Sequence, residues 1–204
     1  MCFSLEVSLG TGIISYLTGY IVLQRDLSNY EKSIVYWFLI FSTMQFADSL
    51  LWLSDMKKNN LNYYTTSIFI PFLLSLQVYY CVFILNNMNH YLLYIGMICL
   101  TIYLFIRFNG YSRPFCTNNL SSPVWANKEL YLIEVIIFAA LVNYPIVINY
   151  FPFFSSVLAI LFIKYIFKGA IGSLWCLISV YMWLYAYFVF GIKEPVKSKN
   201  IFTN

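Results

Sequence analysis

Residues 33–53 read SIVYWFLIFSTMQFADSLLWL, an apolar run that is interrupted by an amide, Gln45, and a carboxylate, Asp48. With a rise of about 1.5 Å per residue, such a run is long enough to cross the hydrocarbon core of a bilayer as an α-helix. The whole chain has the same character, since 61% of its residues are hydrophobic, 10% are charged and its mean hydropathy is +0.74. Soluble domains carry about 25% charged residues. The composition therefore predicts an integral membrane protein.

Similar apolar runs recur along the chain and predict an all-α fold, a polytopic transmembrane helix bundle with seven spans over residues 1–191. The predicted spans are 5–23, 33–53, 63–85, 91–108, 130–147, 150–167 and 171–190. Residues 192–204 form a short basic tail. Pro71 lies inside the third span and predicts a kink. The stretch 130–167 also fits one bent span or a re-entrant pair, and either alternative would change the side on which the later segments lie.

The first span carries small residues at helical spacing, namely Ser8, Gly12, Ser15 and Gly19. Small side chains allow the backbone of another helix to approach closely. We interpret this stripe as a packing face.

Alternation of the crossings places the N-terminus and the 2–3, 4–5 and 6–7 loops on one side of the membrane. Every ionisable residue inside a predicted span lies near that side: Glu6, Asp48, Arg107, Glu134 and Lys164. Charges inside a bilayer are costly and tend to pair or to face the bundle interior. For Glu6, Arg107 and Lys164 the simpler interpretation is that the side chain reaches the membrane interface. For Asp48 and Glu134 two interpretations are equally supported by the sequence: a buried polar site inside the bundle, or a peripheral position near the end of a span.

Helical spacing places Gln45, Asp48 and Trp52 on one face of the second span. Trp175 and Cys176 belong to a small, weakly polar stretch of the seventh span that opens on the same side. The sequence thus predicts an acid-lined polar pocket in one leaflet half. Its predicted binding residues are Glu6, Gln45, Asp48, Trp52, Glu134, Trp175 and Cys176, with Arg107 and Lys164 as charge partners.

Three short motifs resemble an uncharacterised family of small multi-span membrane proteins, mostly bacterial. They are the opening Met-Cys-Phe-Ser of residues 1–4, the stretch QFADSLLW of residues 45–52, and Ser-Leu-Trp-Cys of residues 173–176. The family carries Gln-x-x-Glu-Gly-x-x-Trp in its second span, so this chain departs from it with Asp48 and Ser49. The resemblance implies that Cys2, Gln45, Asp48, Trp52, Trp175 and Cys176 are distinctive, and it implies no activity.

The cysteines and the single histidine exclude several classes of site. Five Cys residues without a C-x-x-C pair predict neither a zinc ribbon nor a disulfide framework. His90 lies in the 3–4 loop, on the side opposite the acids, so we predict no metal site, and no motif indicates a cofactor. Cys2 would become an N-terminal nucleophile if Met1 were removed. Acylation of Cys2 or no role at all are the simpler alternatives.

Two hypotheses follow. The favoured one is a non-enzymatic bundle that binds or passes a small polar or cationic solute at the acids; its partners are the lipid bilayer and that solute, with no nucleic acid. The alternative is a membrane-embedded hydrolase or transferase that uses Cys2.

Arg25 follows a first span that no Lys or Arg precedes, which predicts that the N-terminus lies outside the cytosol. Asn119 begins an Asn-Leu-Ser sequon that would then be lumenal in a eukaryotic cell.

Overall fold

The computed structural model describes residues 4–85, 90–117, 120–127 and 172–192, together with residues 131, 133, 134, 136, 137 and 141. The described chain is mostly helical, and three of its helices are long and apolar enough to cross a membrane. These helices cover Leu5–Leu23, Asn29–Leu53 and Asn60–Leu85. They correspond to the first three predicted spans. Of the predicted spans 130–147 and 150–167, the first lies largely and the second wholly outside the described residues.

Helix α1, Leu5–Leu23, has the bounds that the sequence predicts. Ser4 caps it, since its hydroxyl accepts a hydrogen bond from the Val7 amide at 3.3 Å. The buried face of α1 consists of Ser8, Gly12, Ser15, Gly19 and Val22. The predicted small-residue packing face is confirmed.

The second long helix consists of α2, Asn29–Ser42, and α3, Met44–Leu53, which meet at Thr43. It begins four residues before the predicted span because Ser28 and Glu31 form a capping box. The Glu31 amide donates to the Ser28 hydroxyl at 3.2 Å, and the Ser28 amide donates to Glu31 Oε2 at 2.8 Å. These bonds extend the helix beyond its apolar run.

The third long helix departs twice from α-helical hydrogen bonding. Its parts are α4 (Asn60–Tyr64), a π-helical segment (Thr65–Phe69), α5 (Ile70–Tyr79) and a second π-helical segment (Tyr80–Leu85). Pro71 stands in the first turn of α5, directly after the first π-helical segment. Proline has no amide hydrogen to donate, and a local π segment is one way in which a membrane helix accommodates it.

Helix α6 covers Tyr91–Arg107, and the chain after it forms a β-hairpin that the sequence analysis did not predict. Strands β1 (Arg113–Thr117) and β2 (Leu120–Val124) pair antiparallel, with Arg113 opposite Val124. A short 3-10 turn, Trp125–Asn127, follows. The prediction of a helical protein agrees with the mostly helical described chain, whereas the segment 109–128, predicted as a loop, contains two strands.

The last described helix, α7, covers Gly172–Val189 and packs against α1, α2 and α3. The apolar core lies where these helices and α5 meet. Its largest fully buried apolar side chains are Trp37, Phe108, Phe190, Ile34, Met44, Leu51, Ile70, Val22 and Val35.

Candidate functional site

Asp48 lies in the second turn of α3, and its side chain is 0% exposed. Its Oδ1 accepts a hydrogen bond from the indole Nε1 of Trp125 at 3.2 Å. Trp125 is also buried and packs edge-on against Phe108, with ring centroids 5.9 Å apart. The structure thus encloses this carboxylate in the interior and brings to it a neutral donor from the turn after the hairpin.

The segment that carries Trp125 is fixed to the third long helix by buried hydrogen bonds. Ser112, just before β1, donates its amide to Asn62 Oδ1 at 2.9 Å and accepts from Asn62 Nδ2 at 2.9 Å. Its hydroxyl also lies 2.7 Å from the Thr66 hydroxyl. After β2, Ala126 adopts a positive φ of 53°, which turns the chain sharply beside Trp125. These constraints at both ends of the hairpin position the indole over Asp48.

Gln45, one turn before Asp48, is also 0% exposed, and its Oε1 accepts a hydrogen bond from the Thr11 hydroxyl of α1 at 3.0 Å. The Ser49 hydroxyl donates to the Gln45 carbonyl oxygen at 2.8 Å. Trp52, one turn after Asp48, is partly buried against the core. The predicted shared face of the second span therefore runs from a fully buried end at Gln45 to a partly exposed end at Trp52.

A chain of hydroxyl groups joins three helices closer to the middle of the bundle. The Ser179 hydroxyl lies 3.3 Å from that of Ser15 and 2.7 Å from that of Ser42, and the indole Nε1 of Trp183 donates to Ser42 Oγ at 2.8 Å. All four residues are buried. We call these four residues the hydroxyl chain. It ties α1, α2 and α7 together with hydrogen bonds that lipid cannot supply.

Glu134 and Arg107 form an ion pair with each other. Arg107 Nε lies 2.7 Å from Glu134 Oε1, and its Nη2 donates to Oε2 at 3.2 Å. Tyr103 donates its hydroxyl to Oε1, and the Tyr131 amide donates to Oε2 at 2.6 Å. The side chains of the pair are 11% (Arg107) and 16% (Glu134) exposed. The structure brings these two predicted residues together, whereas Asp48 contacts Trp125.

The remaining predicted site residues are distributed as follows. Glu6 is exposed on the first turn of α1. Trp175 and Cys176 belong to the first turns of α7. Cys2, Lys164 and Asn119 lie outside the described residues, so the hypothesis of a Cys2 nucleophile stays a prediction.

Sequence reasoning missed Trp125, Thr11 and Ser179 as parts of the polar interior. Trp125 had a recognisable signal, since it is a large aromatic residue that follows Pro123 in an otherwise polar loop. Ser179 lies three residues after Cys176, in the seventh predicted span. For Thr11 the signal was its place beside the small-residue stripe of α1.

Within the described residues, no group of three or more His, Cys, Asp or Glu side chains is placed to hold a metal ion. Comparison of the chain with models of protein families, with curated proteins and with solved structures finds no match. The burial and the hydrogen bond of Asp48 are therefore the main indications of function.

Proposed function

We propose that the chain is a multi-pass membrane protein with seven spans, in which Asp48 binds a small cationic or polar solute. The observation that carries this proposal is the complete burial of Asp48 inside a helix that is long and apolar enough to cross a membrane. An ionisable side chain at such a place is costly, and such residues commonly serve ion or solute sites.

The exposed surface of the described helices supports a membrane environment. On α1, Ile14, Leu17 and Tyr20 are 63%, 58% and 65% exposed, on the face opposite the small-residue stripe. On α6, Leu92, Ile98 and Ile106 are exposed to a similar extent. Large contiguous apolar surface is rare on soluble monomers and is expected where a helix faces lipid.

The chemistry of the site favours a cation or a hydrogen-bond donor as the solute. Asp48 offers carboxylate oxygens, Gln45 one turn earlier adds an amide oxygen, and the Thr11 hydroxyl of α1 is bonded to that amide oxygen. Such oxygens suit hard cations and ammonium groups. Trp125 donates a neutral N–H to one oxygen of Asp48, and in this proposal an incoming hydrogen-bond donor or cation replaces that N–H.

The hairpin segment supplies the access route in this proposal. Trp125 covers Asp48 from the loop side, and its turn follows a hairpin that stands outside the long helices. Release of the indole would expose the carboxylate toward that side. Glu134 takes no part, because its oxygens bind Arg107, Tyr103 and the Tyr131 amide. Asp48 is thus the proposed acid for solute binding.

A comparison of two identical substitutions tests the proposal. The full chain is purified in detergent, and its melting temperature is measured with sodium, potassium, methylammonium or ethanolammonium chloride against choline chloride at the same concentration. A bound cation raises the melting temperature. Asp48→Asn should remove the response, whereas Asp55→Asn should keep it, because Asp55 is an exposed residue paired with Lys57 at 2.9 Å. A response that survives unchanged in Asp48→Asn would contradict the proposal.

The side on which the site opens is a separate part of the proposal. An outside N-terminus places the 109–128 segment, and with it Trp125 and Asp48, on the lumenal side. In a eukaryotic cell Asn119 should then become glycosylated, and Asn119→Gln should abolish the mass shift. A chain that stays unmodified there, while a sequon engineered into the 3–4 loop is modified, would place the site on the cytosolic side.

A further inference from the structure

The segment between α6 and strand β1 is bonded to side chains that lie close together on the third long helix. The Ser67 hydroxyl donates to the Gly110 carbonyl oxygen at 3.1 Å, and the Gly110 amide donates to Ser67 Oγ at 3.0 Å. The Thr66 hydroxyl lies 2.7 Å from the Ser112 hydroxyl and 3.0 Å from Asn62 Oδ1. Together with the two bonds between Asn62 and Ser112, these contacts define what we call the latch cluster: Asn62, Thr66, Ser67, Gly110 and Ser112.

Two consecutive hydroxyls of the latch cluster come from the π-helical segment Thr65–Phe69. A π turn contains more residues than an α turn, so neighbouring side chains diverge less around the helix axis. Thr66 and Ser67 therefore both reach the segment before β1, one at Ser112 and the other at Gly110. Single π-helical turns are rare and occur frequently at functional sites. At this position the π-helical turn presents two hydroxyls to one partner segment.

The latch cluster lies at the same end of the hairpin as Trp125. Ser112 directly precedes β1 and Trp125 directly follows β2, and the antiparallel pairing brings these two ends of the strands together. A Cβ at Gly110 would lie 3.9 Å from the Ala126 carbonyl oxygen, so the two connections also approach each other. A movement of the segment that carries Gly110 and Ser112 therefore also moves Trp125, whose indole donates to Asp48.

The latch cluster is polar although it is buried. Asn62 and Thr66 are 0% exposed, Ser112 is 2% exposed and Ser67 is 6% exposed. Asn62 is the third residue of the third long helix, and the Lys57 side chain just before that helix is 75% exposed, so water reaches this end of the helix. Water can replace the partner of a hydrogen bond, which keeps the net contribution of such a bond to stability small. Contacts of this kind can open while the helices stay folded.

We propose that the latch cluster controls access to Asp48. The closed state is the one in the structure, with the cluster bonded and Trp125 against the carboxylate. In the open state water takes over the hydrogen bonds of the cluster, and residues 109–112 move away together with Trp125. Trp125 and Ala126 are 5% and 6% exposed, so opening exposes apolar surface and the open state is the less populated one. The inference rests on the proposed function for the solute that enters, whereas the opening itself depends only on these contacts.

Chemical labelling of Asp48 tests the latch. The full chain is purified in detergent and choline chloride and treated with a water-soluble carbodiimide and glycinamide, and mass spectrometry follows the labelled peptides over time. Thr66→Val keeps the branched shape and removes a hydroxyl of the cluster, so Asp48 should be labelled roughly three- to tenfold faster than in the wild type. Thr18→Val is the matched control, because the Thr18 hydroxyl donates to the Ile14 carbonyl oxygen of its own helix at 2.8 Å, and it should leave the rate unchanged. Asp55, whose side chain is 70% exposed, should react equally in all variants and corrects for the reagent.

A covalent lock gives the opposite prediction. The Thr66 and Ser112 hydroxyls are 2.7 Å apart, so Thr66→Cys combined with Ser112→Cys places two thiols within reach of a disulfide. Asp48 in the cross-linked protein should be labelled at least tenfold more slowly than in the same protein after reduction. If Thr66→Val does not fold, the lock alone decides.

Three results would overturn the inference: equal labelling of Asp48 in Thr66→Val and Thr18→Val, an unchanged rate in the cross-linked protein, or equal acceleration in Trp183→Phe. Trp183→Phe removes a bond of the hydroxyl chain, outside the latch cluster, so equal acceleration there would indicate unfolding of the whole protein. The labelling needs no added solute, which separates the two proposals. If labelling follows the latch cluster while no cation gives an Asp48-dependent shift in melting temperature, the latch stands and the proposed solute site is wrong. If the cation shift is present and labelling ignores the cluster, the solute site stands and the latch is wrong.

Discussion

Asp48 and Glu134 are two carboxylates predicted to lie near the same side of the membrane, in the second and fifth spans, and their surroundings in the structure differ. Glu134 lies against the Arg107 guanidinium, receives two further hydrogen bonds, and remains 16% exposed. Asp48 is 0% exposed and is bonded to the neutral indole of Trp125. The Glu134 carboxylate is already paired with a positive side chain of the protein, Arg107. At Asp48 the described hydrogen bond comes from an indole, and Gln45 one turn earlier accepts from the Thr11 hydroxyl.

The difference separates two uses of charge in an apolar environment. An ion pair stabilises each partner through the other, and removing one partner leaves the second exposed to the full cost of burial. A buried carboxylate that accepts from a neutral N–H can instead exchange that donor for a solute. We therefore expect substitutions at the ion pair to change mainly stability, and substitutions around Asp48 to change mainly the response to cations.

The largest effect on stability is expected at the ion pair. Arg107→Ala should lower the free energy of unfolding by about 3 kcal/mol, near the lower end of the cost for breaking a buried pair, because both side chains are slightly exposed. Lys57→Ala is the matched control: its pair with Asp55 has side chains 75% and 70% exposed, so its loss should cost less than about 1 kcal/mol. Thermal unfolding in detergent measures both variants. Similar losses of unfolding free energy in Arg107→Ala and Lys57→Ala would contradict the difference between the buried and the exposed ion pair.

A smaller effect is expected where α1 packs against its neighbours. A Cβ at Gly19 would lie 2.7 Å from Leu39 Cδ2 and 2.7 Å from Trp183 Cη2, so Gly19→Ala should cost about 1–3 kcal/mol through overpacking. Gly10→Ala is the control, because a Cβ there meets nothing within 4 Å. It should be neutral or slightly stabilising, since alanine favours the helix. The melting temperatures of Gly19→Ala and Gly10→Ala are compared. Equal values would contradict close packing on the face of α1 that carries Gly19.

The smallest stability effect is expected in the hydroxyl chain. Trp183→Phe removes the indole donor to Ser42 Oγ while it keeps an aromatic ring in the core, and should cost about 1 kcal/mol. Trp37→Phe is the control, because Trp37 is equally buried and its Nε1 has no hydrogen-bond partner among the described residues. Both substitutions lose similar ring volume, so the difference between their unfolding free energies isolates the hydrogen bond. A cost in Trp37→Phe as large as in Trp183→Phe would show that ring volume alone matters.

The positions of the long helices were largely predictable because hydropathy and length alone determine them. Helix α1 has the predicted bounds, and the small-residue stripe correctly indicated its packing face. The second helix was predicted to start too late. Its capping box, Ser28 with Glu31, was present in the sequence and would have given the start at Asn29.

The structure around Asp48 was only partly predictable. Spacing along one helix correctly grouped Gln45 with Asp48, because local periodicity fixes which residues share a face. The bond from Trp125 joins residues 77 positions apart and depends on the hairpin and on the contacts of Ser112 with Asn62. No local pattern encodes such a contact. The same holds for the ion pair, since the sequence indicated that charges pair without indicating which ones.

The most direct measurement of the central claim compares the two carboxylates in one assay. The melting temperatures of the wild type, Asp48→Asn and Glu134→Gln are measured with sodium, potassium, methylammonium or ethanolammonium chloride, each against choline chloride. We predict that Glu134→Gln lowers the melting temperature in every salt but keeps the cation-dependent shift of the wild type, whereas Asp48→Asn loses that shift. A shift that is kept in Asp48→Asn and lost in Glu134→Gln would contradict the assignment of Asp48 as the acid that binds the solute.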